Sequence, residues 1–189
     1  MPDKVRTTYL EITKDDPVSY SKDFMKRMNV LEIENDIYIN FVFFAGVGLP
    51  WKWYSRLKWS ISEWNDYFRK NNVKTFIGFS EKRLVGYYEL MLNRKNDAEI
   101  KLFGLFPSMT GKGLGGVLLS HAIKSSFDHG AARIWLHTCS NDSEAALGNY
   151  LARGFRIFKE EEKPEDIPER NEVLKMISDF FNGYIIRNT

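Results

Sequence analysis

Between Glu99 and Gly116 the chain reads EIKLFGLFPSMTGKGLGG, a stretch that allows few folds. Glu99, Lys101, Phe103 and Leu105 alternate with Ile100, Leu102 and Gly104, which is the period of a strand. Pro107 ends it, because proline has no amide to continue a ladder. Gly111, Gly113, Gly115 and Gly116 follow, and Val117-Leu118-Leu119 then opens a helix. Glycines let backbone approach a ligand, and the first amides of a helix lack internal partners at the positive end of its dipole. The sequence predicts an anion cradle, with a carboxylate at the head of the strand that enters it.

The 189 residues suffice for one domain with a real core, or a domain with an appendage. A formal charge of +2, from scattered Lys and Arg, argues against a nucleic-acid partner. Cys139 is the single cysteine, which excludes an internal disulfide and points to a reducing, cytoplasmic setting. The first residues, MPDKVRTTYLEITKDDP, do not read as a signal peptide, and the apolar run 37–51 is broken by Asn40, Gly46, Gly48 and Pro50, so no membrane segment is expected.

Along the chain, 8–13 reads as a strand with Leu10 and Ile12 on one face, while 21–47 stays open between helix and strand. A helix is predicted over 60–68 with Ser62 as N-cap, then strands over 74–80 and 84–92 that should be antiparallel to each other and to the Glu99 strand. The helix 114–129 should be followed by a strand over 132–139, parallel to the Glu99 strand through a right-handed crossover. A helix starting near Asn141–Glu144 and ending at Gly154, and a strand over 155–159, complete this part. The charged residues 160–163, with Pro164 and Pro168, read as a linker to a helix near 171–181 whose apolar side would suit a second copy of the chain.

Two blocks, T-G-K-G-L-G at Thr110–Gly115 and Y-L-A-R-G-F at Tyr150–Phe155, together resemble the GNAT superfamily of acetyl-CoA-dependent N-acetyltransferases. That family pairs a strand and a Q/R-x-x-G-x-G/A loop with a later helix ending in Tyr-x-x-x-Gly-Phe; Thr110 departs from the family's Gln or Arg. The resemblance covers 84–160. It implies an α/β fold of α+β type: a central, mixed but mostly antiparallel twisted sheet of about six to seven strands, flanked by helices and splayed into a V between two parallel strands. Residues 1–75 would be the acceptor side and 76–162 the acetyl-CoA core, with 163–189 a linker and helix. The rival fingerprint Gly111-x-Gly113-x-x-Gly116 of dinucleotide folds fails its context, since four residues separate strand from glycine and the preceding strands form hairpins.

The resemblance implies acetyl transfer from acetyl-CoA to a primary amine, a small molecule before a protein, in a ternary complex. A non-catalytic CoA-binding sensor or interaction module is the alternative. CoA would be held by Leu105, Phe106, Thr110, Gly111, Lys112, Gly113, Leu114, Gly115, Gly116, Asn141 and Tyr150, with the Leu105 amide on the thioester oxygen. Glu99 is the first candidate base, against the plain reading of an edge-of-sheet surface carboxylate, with Glu89 the second candidate and Glu11 a third. Tyr150 would protonate the departing thiolate. Trp51, Trp53 and Tyr54, with Arg56 for an anionic group, either form the acceptor's wall or pack lid helices; His137 joins them as pocket lining. His121, His129, His137 and Cys139 show no metal-ligand spacing, so no metal is expected.

Overall fold

The computed structural model describes residues 3–93 and 96–188. Strands β1 (Asp3–Thr13), β2 (Asn29–Ile33), β3 (Val73–Ser80), β4 (Arg83–Leu92), β5 (Asp97–Leu105), β6 (Arg133–Cys139) and β7 (Arg156–Glu165) form one sheet in the order β2-β3-β4-β5-β6-β1-β7. All neighbours are antiparallel except β5 and β6, whose parallel pairing joins Asp97–Glu99 to Arg133–Trp135 and then stops. Beyond Glu99 and Trp135 the two strands part, and the sheet opens into a V.

Among the described residues six α-helices accompany the sheet: α1 (Phe24–Arg27), α2 (Ile37–Gly48), α3 (Ile61–Asn71), α4 (Leu114–Asp128), α5 (Glu144–Ala152) and α6 (Arg170–Asn188). The main core joins α4 to one face of the sheet through Leu118, Leu119, Ile123, Leu10, Ile12, Ile100, Ile134 and Leu136. Leu10 and Ile12 are fully buried there, the face their alternation predicts. On the opposite face α2 packs Phe43 and Val47 against Ile77 and Tyr87, and a further cluster gathers Phe41, Phe44, Leu57, Trp64 and Tyr67.

Several boundaries differ from those read in the sequence. The cap of α3 is Ser60, not Ser62: its hydroxyl accepts from the Glu63 N–H, and the Glu63 carboxylate accepts in turn from the Ser60 N–H, a reciprocal capping box. The segment 160–165, read as linker, continues β7 as an edge strand against β1, where Pro164 is tolerated because only one edge needs partners. The tail helix is longer than 171–181, and its Phe180 ring stacks on Phe41 of α2 with centroids 3.5 Å apart. The apolar side offered to a second copy is thus taken up within the chain, with Leu174 left exposed.

One backbone approach near the opening of the V depends on a missing side chain. A methyl at Gly86 on β4 would fall 2.8 Å from the Leu105 Cα and 3.0 Å from the Gly104 carbonyl carbon on β5. Backbone cannot yield as a side chain can, so Gly86→Ala should destabilise the fold by about 1–3 kcal/mol. Urea unfolding would measure it, and an unchanged midpoint would mean that β4 and β5 part freely at this point.

Candidate active site

Where β5 and β6 diverge, a cavity of about 780 Å³ passes between them. One end is walled by the glycine loop, the start of α4 and α5, the other by the segment 51–55, and Lys101, Phe103, Leu105 and His137 lie between. The loop holds Gly111 at φ +72° and Gly113 at φ +70°, left-handed values that a Cβ would strain. Gly113 is the N-cap of the 15-residue α4 and supplies no side-chain cap, which leaves the first amides of that helix to an outside acceptor.

Two arginines flank this turn. A Cβ on Gly113 would lie 3.7 Å from the Arg27 guanidinium nitrogen, and one on Gly116 would lie 3.3 Å from the Arg153 guanidinium carbon. The buried Nε of Arg153 has no hydrogen-bond partner among the described residues. Glycines at 111 and 113 in left-handed backbone, open helix amides and these two cations together suit a diphosphate. Lys112 is turned away, its Nζ donating to the Ser108 carbonyl, so the cation next to the turn in sequence is not one that flanks it.

Just past β5, the Phe106 N–H donates to the Val85 carbonyl of β4. Successive amides of a strand point to opposite edges, so the Leu105 N–H faces the edge that β6 has left. The Leu105 side chain lines the cavity, whereas Phe106 packs against Phe43 of α2, with ring centroids 5.7 Å apart. Tyr150 lines the cavity from α5, its ring edge-on to both Phe103 and Phe155. Burial, then the Asp142 carboxylate, raises the phenol's pKa, so it stays protonated near neutral pH.

The aromatic segment reaches across the V. The Trp53 Nε1–H donates to Asp142 Oδ1 at 3.0 Å, while Asp142 Oδ2 accepts from the Thr138 hydroxyl and the Cys139 N–H. Trp51, Trp53 and Tyr54 line the cavity. Arg56 does not: it is 4% exposed, and its guanidinium lies among the rings of Phe44, Trp59, Trp64 and Tyr67. Its Nη1 donates at 2.8 Å to Glu89 Oε2, which also accepts from the Tyr67 hydroxyl, while Oε1 accepts from Asn40. Glu89 is fully buried in this network and is no part of the cavity wall.

Glu99 is 2% exposed and sits at the vertex of the V. Two residues further along each diverging strand stand Lys101 and His137, both on the cavity wall. Lys101 Nζ donates to Glu99 Oε1 at 3.0 Å, and His137 Nδ1 lies 3.9 Å from the same oxygen. The third glutamate, Glu11, is bound by Arg133 and Arg156. Burial and Asp142 push the Cys139 thiol up to about 11, the reverse of an activated nucleophile.

Thr110, Gly111, Gly113, Leu114, Gly115, Gly116 and Asn141 also line the cavity. Reading the sequence missed Arg27, Asn149, Arg153 and Asp142. Asn149 and Arg153 lie one helical turn apart beside Tyr150, a spacing that could have pointed to them. Nothing in sequence links Arg27 to a loop some eighty residues away. Among the described residues no group of three or more His, Cys, Asp or Glu could hold a metal ion, and no helix is long and apolar enough to cross a membrane.

The arrangement can hold a diphosphate at one end, an extended apolar arm along β5, and a second molecule at the aromatic end. The family model described as "Acetyltransferase (GNAT) family" matches residues 29–155. A GCN5-related N-acetyltransferase from Sphaerobacter thermophilus superimposes with a TM-score of 0.60 at 13% identity, over 89% of this chain and 55% of that one. An acetyltransferase from Bacillus subtilis, solved in complex with CoA, gives 0.52 at 22% identity, over 70% and 78%. A GCN5-related N-acetyltransferase from Kribbella flavida gives 0.55 at 14% identity, over 85% and 59%. At such identities the likeness is one of fold, and the chain spans only 55–63% of the first three structures it matches. No curated protein matches it in sequence. With the family model covering well over half of its residues, the chain belongs to the GNAT acetyltransferase family.

Proposed function

We propose that the protein is an N-acetyltransferase that moves the acetyl group of acetyl-CoA to a primary amine by direct attack, both substrates being bound together. The observation that carries this reading is the single cavity that joins the glycine turn, the open edge of β5 and the aromatic segment. CoA's diphosphate would rest on the turn and the first amides of α4, between Arg27 and Arg153. Its pantetheine arm would follow β5 past Leu105, towards Asn141 and Asn149.

The Leu105 N–H at the open edge would polarise the thioester carbonyl; a preorganised donor of this type supplies about 2.7–4 kcal/mol. Tyr150, kept protonated by burial, would give its proton to the departing sulfur. The amine would come from the aromatic end, along Trp51, Trp53 and Tyr54. The three aromatic side chains at this end suit a small amine. Of the three glutamates considered as base, Glu89 is committed to Arg56 and Glu11 to Arg133 and Arg156, whereas Glu99 touches the cavity wall through Lys101 and His137. The proton of the amine would therefore leave on the Glu99 side.

Following thiol release from acetyl-CoA over a panel of primary amines tests the reading. Turnover with at least one amine is expected. Saturable CoA binding with no turnover on any of them would make the protein a binding module instead.

A further inference from the structure

The carboxylate at the vertex of the V cannot itself meet an amine in the cavity. Glu99 is 2% exposed, and Lys101 covers one of its oxygens. His137 is different: it stands on the cavity wall with its side chain 39% exposed and its Nδ1 turned towards Glu99. The other titratable groups nearby are occupied. Asp142 accepts from Trp53, Thr138 and Cys139, and the Cys139 thiol is held protonated. Tyr9, the partner of His137 across β1 and β6, lies 5.7 Å away between ring centroids and donates its hydroxyl to Glu161, which also pairs with Lys159 and Lys163.

Resting on the acetyl-transfer reading above, we propose that His137 is the general base and that Glu99 and Lys101 are positioning residues which set its charge. The amine nitrogen forms its bond to the thioester carbonyl carbon, and the nitrogen, now strongly acidic, gives its proton to the free imidazole nitrogen. The carbon–sulfur bond then breaks, its electron pair stays on sulfur, and sulfur takes the Tyr150 proton. The imidazolium is attracted to the Glu99 carboxylate, while Lys101 keeps it acidic enough to release the proton to water. Burial and the Lys101 charge lower the His137 pKa, with Glu99 and Asp142 opposing them, so the imidazole is neutral and able to accept near pH 7.

Two readouts test this, one without turnover. In NMR titration of the apo protein, His137 should titrate below its ordinary pKa near 6.5. Glu99→Gln should move it further down and Lys101→Met should move it up. In thiol-release assays, kcat/KM should fall on the acid side with that same midpoint and shift the same way in the two variants. His137→Gln should abolish the limb and lower kcat by about 10²–10⁴-fold with CoA affinity kept. Wild-type kcat in His137→Gln, a limb that survives in it but vanishes in Glu99→Gln, or a His137 titration indifferent to both neighbours would each overturn the proposal. The expected titration with no turnover on any amine would instead reject acetyl transfer, and the base role with it.

Discussion

Glu89→Ala should lower the unfolding free energy by about 3–5 kcal/mol, the usual cost of stranding one member of a buried ion pair. Arg56 would be left 4% exposed, with its charge facing four aromatic rings and no anion to answer it. The Tyr67 hydroxyl and the Asn40 amide would lose an acceptor as well. Since small domains hold only about 5–15 kcal/mol in all, such a variant would sit near its folding threshold. Urea unfolding measures the loss. The double change Glu89→Leu with Arg56→Met should recover most of it, because it removes both charges and fills the space with apolar atoms. A single-variant loss under about 1 kcal/mol would show that water reaches the pair, as it reaches surface pairs. Arg56 directly follows the segment 51–55 that walls the cavity, so the double variant should raise KM for the amine more than it weakens CoA binding.

Tyr150→Phe should lower kcat by about 10²–10⁴-fold, the range for losing a positioned proton donor. The ring is clamped edge-on by Phe103 and Phe155, and removing one oxygen leaves those contacts in place. CoA affinity should therefore stay within a few-fold of the wild type. Transfer from an acetyl donor with a poorer leaving thiol should suffer most, since there the proton matters more. Turnover at the wild-type rate would take the proton-donor role away from Tyr150.

The most legible part of the chain was the one in which local signals agree. In 97–128 the strand period, the proline stop, positive-φ glycines and an apolar helix start coincide, and β5 and α4 lie within a residue or two of the expected limits. Segment 37–48 was opaque because α2 is covered by the sheet on one side and α6 on the other, so Phe41, Phe43, Phe44 and Val47 leave no amphipathic period. β7 was missed beyond Lys159 because an edge strand exposed along most of its length carries charge at nearly every position and no alternation. For α3 the signal was present: Ser60 stands three residues before Glu63, and the capping-box spacing selects it over Ser62. In the site, the glycines and Tyr150 could be read from their neighbours in sequence. The Arg56–Glu89 pair could not, since 33 residues separate two charges that look like ordinary surface groups until the fold buries them.

The first strand of the chain lies between the sixth and the last, bonded along both edges. On a ribosome it would emerge with neither neighbour yet made, its Tyr9 waiting for His137 and Lys159 roughly 130 to 150 residues later. Closing loops of that size makes the last zipping step slow and leaves an interim chain with bare strand edges. Shortening or displacing the first dozen residues would unseat β7 from the sheet and remove Val5, Thr7 and Tyr9 from around the cavity. The cavity is thus complete only once β1 has been stitched between β6 and β7.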